Sequence, residues 1–167
     1  MLTIALRLLH VVAGAIWTGG AVIIASYVVP SIQAAGPAGG AVMREIAFVR
    51  KLPIHMTILG FITVLAGFAL YGLNARGTGW GGTNTGMTFG IGGLFGLTAL
   101  LLGAFWSRPT ANKIAALGAK MQSAGSPPPA ALMQEMQGLQ ATLGKALRVV
   151  ALCAVLAAVA MSVARYL

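Results

Sequence analysis

Few side chains in this sequence could bind a transition metal: two histidines, one cysteine, eight methionines and two carboxylates. His10 stands out among them. It lies in an apolar run from Leu2 to Val29 that only Arg7 and His10 itself interrupt. Imidazole is a common metal and haem ligand. Arg7 is three residues earlier, hence on the same face of a helix, and Gly14 and Trp17 continue that face at i+4 and i+7 from His10. Counted along a helix, His10 is about 12 Å in from the near end of the run. An arginine one turn closer to the surface suits a haem propionate. The competing reading is a neutral His10 bonded to a neighbouring helix, with Arg7 snorkelling outward. Residue types and spacing leave both open.

A second ligand at the same depth would have to come from another span. Met161 is at about that level in the last apolar run, and His/Met is an accepted haem ligation. Ordinary core filling is the other role for Met161. His55 follows Pro53 at the opposite end of its run. With a hydrocarbon core of roughly 30 Å, it should differ from His10 in depth by some 15 Å. Two axial ligands of one iron are only about 4 Å apart, so His10 and His55 do not pair. Cys153 reads as a small buried residue, and a copper(I) set with His55 and Met56 lacks a recognisable spacing. A lone cysteine excludes an intrachain disulfide, an iron–sulfur cluster and a structural zinc site built by this chain. Glu45 and Glu135 fall in loops, so no intramembrane carboxylate is at hand for a proton relay.

The elements that must position these residues are membrane helices. Of 167 residues, 58% are hydrophobic and 8% are charged. Soluble domains average roughly 25% charged residues. The formal charge is +9, but the cations sit in short loops between apolar runs, which excludes a nucleic-acid-binding domain. The spans are about 2–29, 54–73, 87–106 and 149–167, each near the roughly 20 residues a crossing needs. The first exceeds a signal-peptide core and is read as a retained helix. Loops 30–53 and 107–148 hold Arg44, Arg50, Lys51, Arg108, Lys113, Lys120, Lys145 and Arg148; Arg7, Arg76 and Arg165 lie on the other side. The positive-inside rule then puts both larger loops in the cytoplasm and both termini outside. Tyr27 and Trp106 mark inner boundaries, and Tyr71, Trp80 and Tyr166 outer ones.

Within the loops, Gly36 to Gly40 breaks the chain, and a short helix is predicted from about Ala41 to Lys51. The glycine-rich 77–84 loop reads as a turn. Thr110, Ile114, Leu117 and Met121 recur at helical spacing, as do Leu132, Met136, Leu139 and Leu143. Joined by Ser126-Pro127-Pro128-Pro129, they predict an antiparallel cytoplasmic hairpin, with Ser126 as cap and Pro127 in the first turn of the second arm. If unbroken, 130–167 would be one helix of roughly 55 Å. Its expected role is stiffening rather than docking a partner. The spans are rich in small residues, with Gly92 and Gly96 forming a close-packing pair.

The stretch Leu9-His10-Val11-Val12-Ala13-Gly14-Ala15-Ile16-Trp17-Thr18-Gly19-Gly20 resembles the first helix of small bacterial membrane proteins in the copper-resistance protein D-like and J-type protoporphyrinogen oxidase neighbourhood. Pro30, the 34–43 loop and the stalk before the last helix resemble its uncharacterised members. The resemblance implies a four-helix bundle and, in the oxidase branch, a haem ligated by the residue at His10. Ala25 to Ile32 lacks the arginine and histidine of the oxidase pattern, which speaks against protoporphyrinogen oxidation.

The expectation is therefore an all-α, single-domain four-helix bundle in a bacterial inner membrane, its third and fourth helices extended as the hairpin. It would bind haem b through His10, with Arg7, Trp17 and Met161 around the cofactor, in a redox or electron-transfer role. The alternatives are an accessory subunit of a larger respiratory or photosynthetic complex, and copper or small-solute transport. Partners would be the bilayer and a larger complex or further copies of the chain.

Overall fold

The computed structural model describes residues 1–77, 79–123 and 129–167. It is all-helical among these residues, and four helices are long and apolar enough to cross a membrane. They are α1 (Leu2–Ala34), α3 (Leu52–Ala75), α4 (Asn84–Met121) and α5 (Ala130–Val163). A short α2 (Pro37–Arg44) links the first two. The helices form a ring in chain order. α1 packs chiefly on α3 and α4 on α5, while α3–α4 and α5–α1 close the square. A lipid-embedded chain has this architecture because every backbone N–H and C=O must be bonded within its own segment.

Size is sorted inside out. The buried positions are mainly alanines, among them Ala13, Ala21, Ala25, Ala99, Ala146, Ala154 and Ala157, while Leu8, Val11, Ile16, Phe61, Leu65, Leu94 and Val159 are exposed. Lipid tails solvate leucine as well as another helix does, so no hydrophobic drive brings the helices together. Close backbone approach and the dispersion contacts it permits do so instead.

The helices run past the expected span ends. α1 continues through Pro30 to Ala34, and the following helix begins at Pro37 rather than near Ala41. Proline explains how. It has no N–H, and its ring excludes the carbonyl four residues back in a straight α-helix. Just before Pro30 the chain widens into a π turn, Ile24–Val28, with the Val29 N–H bonded to the Ile24 carbonyl. α4 does the same before Pro109: Gly103–Ser107 is a π turn, and the Arg108 N–H bonds to the Gly103 carbonyl. A third π turn, Glu45–Val49, precedes Pro53. There the chain turns sharply through Lys51, at φ 52°, into α3.

The hairpin forms as the periodicity predicts. Ile114 and Leu117 on α4 and Leu143 on α5 are buried, with Met136 and Leu139 packed against the same cluster. Ser126 and Pro127 lie outside the described residues; α5 starts at Ala130, after Pro129. Its 34 residues span about 51 Å at 1.5 Å per residue. At the other end of the bundle, Trp80–Gly82 form a short 3-10 turn. Thr83 caps α4 by accepting from the Gly86 N–H at 3.1 Å. Trp80 stacks edge-on against Tyr71, with ring centres 5.3 Å apart.

The small-residue seam makes a measurable claim. A Cβ on Gly60 would stand 2.8 Å from Trp17 Cε2 and 3.1 Å from Leu100 Cδ1, whereas one on Gly19 would meet nothing within 4 Å. Gly60→Ala should lower the melting temperature in detergent by roughly 3–10 °C through overpacking. Gly19→Ala should leave it within about 2 °C of wild type. A Gly60→Ala protein as stable as the parent would show that the seam yields.

Candidate functional site

His10 occupies the α1–α3 seam, half buried. The two helices run antiparallel, and large residues on one meet small ones on the other in fixed register. Trp17 rests on Gly60, Gly14 faces Thr63, and Gly20 faces the Met56 thioether. One step further out, the His10 ring lies over Gly67, where an added Cβ would come within 2.8 Å of Cε1. Only glycine lets the ring approach the α3 backbone so closely. Nδ1 is 2.7 Å from the Thr63 carbonyl oxygen. A carbonyl only accepts, so Nδ1 carries the proton and donates it. In the neutral ring Nε2 is then a bare lone pair, and no hydrogen bond to it is found among the described residues.

This arrangement agrees with both sequence readings. His10 does bond a neighbouring helix. It does so through the nitrogen whose bond fixes the tautomer and ring orientation in ligating histidines, leaving Nε2 for a ligand. Thr63 itself is settled, its hydroxyl donating to the Leu59 carbonyl at 2.8 Å. The donor chemistry therefore fits one axial bond to haem iron.

The other expected residues divide. Arg7 is exposed and lines a shallow groove on the outer face of α1 with Thr3, Ile4, Leu8 and Val11. Trp17 is a core residue, 5% exposed, packed among Ala99, Leu100, Val150 and Ala154. Met161 has its Cγ 3.0 Å from where a Cβ on Gly92 would be, so it fills the α4–α5 seam. Helix register brings Met161 about level with His10, because Ala21 and Ala25 pack near Leu147 and Ala151 on the antiparallel α5. His55 is exposed. Twelve residues along α3 from Gly67, it is about 18 Å away in depth. Cys153 packs against the core cluster that contains Trp17, and no group of three His, Cys, Asp or Glu is found among the described residues.

The sequence reading did not single out Thr63 or Gly67. Thr63 acts through its main chain, which leaves no mark on residue type. Gly67 was legible only as one more small residue in a glycine-rich span. The sequence reading also missed an apolar cavity at the basic end of the bundle, the end formed by loops 30–53 and 107–148. It begins at Trp17 and runs away from His10, which does not line it.

Nitrogen-15 spectra of histidine-labelled protein in bilayers should show His10 as an Nδ1–H form. Gly67→Ala should abolish that form's low-field Nδ1 proton by pushing the ring off the Thr63 carbonyl. An Nε2–H wild type would overturn the assignment. Compared with known proteins, the chain matches no protein-family model, no curated protein and no solved structure.

Proposed function

We propose that this chain is a membrane-embedded b-type haem protein with a redox or electron-transfer role, and that His10 is an axial ligand. The observation that supports this is the 2.7 Å bond from His10 Nδ1 to the Thr63 carbonyl. It presents Nε2 unbonded in an apolar region, where an ionisable side chain is otherwise costly. Haem, when bound, supplies reversible one-electron chemistry.

The chain's own contributions are specific. The Thr63 carbonyl accepts a hydrogen bond from Nδ1–H and makes the ring a stronger donor through Nε2. Gly67 provides the room that sets the ring's height on α3. Arg7, one turn outward and exposed, would meet a propionate. Met161, level with His10, is the candidate second ligand within this chain, and it would raise the potential. In this reading the basic end faces the cytoplasm of a bacterial inner membrane, by the loop-charge rule.

The test is the optical spectrum of protein expressed with haem supplementation and purified in mild detergent, oxidised and dithionite-reduced, beside His10→Ala. A Soret band with sharp reduced bands, lost in the variant, is expected. Met161→Leu should retain the haem and lower its midpoint potential if Met161 is the second ligand. A colourless wild type would refute the haem reading. A band that survives in His10→Ala would move the ligand elsewhere.

A further inference from the structure

The cavity at the basic end is lined in part by three π turns, two of which lie just before a proline in the same helix. Ile24 and Val28 from the first π turn, Ile46 from the second, and Gly103 and Ser107 from the third all line it. Its volume is about 110 Å³. Widening the backbone spreads side chains that a regular helix would bring together, and π turns are frequent at functional sites.

The lining is polar at one end only. Between Ala99, level with Trp17, and Ser107, about 12 Å further along α4, the walls are alkyl and aromatic apart from Thr57. That hydroxyl is already used, donating to the Pro53 carbonyl at 2.8 Å. Ser107 differs. It is 6% exposed, and its Oγ has no hydrogen-bond partner among the described residues. A buried hydroxyl without a partner is uncommon and unfavourable. Arg108 follows it, exposed and also lining the cavity. Lys51 adjoins the lining residues Leu52 and Pro53 in sequence. The one acid close by in the chain, Glu45, is paired with Arg50 at 3.0 Å.

We infer that this cavity binds an acyl chain ending in an anionic head. The chain lies along the apolar wall toward Trp17, and the head accepts from the Ser107 hydroxyl and the Arg108 guanidinium. A fatty-acid carboxylate and the phosphate of an anionic phospholipid share this chemistry. The inference rests on Ser107, Arg108 and the three π turns, and it stands whether or not His10 binds haem.

Trp17 lines the cavity and can report on it. In a Trp80→Phe, Trp106→Phe protein it is the sole indole. This protein, in nanodiscs of unlabelled phosphatidylcholine, would be titrated with dibromostearate and, separately, with phosphatidylglycerol and phosphatidylcholine carrying brominated chains. The expected result is saturable quenching of Trp17 by dibromostearate or by brominated phosphatidylglycerol, and weaker quenching by brominated phosphatidylcholine. Whichever of the first two saturates at the lower mole fraction identifies the source. Arg108→Gln should weaken binding about tenfold or more through loss of a charged hydrogen bond, and Ser107→Ala about threefold. Arg108 is exposed, so its variant decides the matter should Ser107→Ala fail to fold. Quenching that rises linearly without saturation, or that is unchanged by Arg108→Gln, would overturn the inference.

Discussion

The contact on which the rest of the molecule depends is the seam between α1 and α3, where two rings of one helix lie directly on the backbone of the other. Trp17 rests on Gly60 and His10 on Gly67. In water such a seam would be one contribution among many. In lipid it is central, because apolar area gains little by moving from tails to protein, and adhesion must come from close fit and from the few polar bonds available. The His10–Thr63 bond joins the two spanning helices by a side-chain hydrogen bond at this depth. It fixes rotation and height together. With α1 and α3 in register, α4 meets α3 through Leu100 at Gly60 and Tyr71 at Gly90, and α5 closes the ring through Ala157 and Met161 against Gly92.

Proline shapes the other half. A straight helix through Pro30 or Pro109 would drive the ring into a carbonyl. The π turns avoid that clash and leave something behind. The Arg108 N–H is given to Gly103, and Pro109 has none to offer, so the Ala104 carbonyl loses its usual donor. The same holds for Ala25, with the Val29 N–H bonded to Ile24. The bundle therefore has two characters. Beyond Trp17 toward His10 it is close-packed on glycine. Toward the basic end its helices are widened, and an apolar cavity opens between them.

Hydropathy and loop charge made the four spans and the hairpin legible, since both are written in residue type. Leu143, Ile114 and Leu117 are buried where their spacing puts them. The span ends were less legible. Val29-Pro30 reads as a stop, because proline usually ends a helix, and nothing in Ile24 to Val28 announces that a wider turn will carry the helix on to Ala34. At the site, His10 was conspicuous because a histidine in an apolar run is costly, but its partner is a main-chain oxygen that any residue would carry. Trp17 shares the His10 face in sequence and yet is committed to the core, since one turn of α3 offers it Gly60 as a seat. The cavity had a signal in Pro30, Pro53 and Pro109. That signal appears only when the three are compared in depth rather than along the chain.

The glycines also divide into two classes, with a consequence for how such a chain can change over time. At positions 60, 67, 86 and 92 a methyl group would meet a ring, a side chain or a carbonyl at 3.0 Å or less, while at 19, 72, 93 and 103 it would meet nothing within 4 Å. The first class is held by sterics and the second is free to drift. The broad outward surface of leucine, valine and isoleucine asks only to remain oily, and these residues exchange for one another at little cost there. A lineage built on this plan can replace most of its letters and keep its shape, preserving a thin set of positions on α3 and α4. Kinship among such proteins would then be carried by a handful of gaps where side chains are missing, more than by any run of residues that are present.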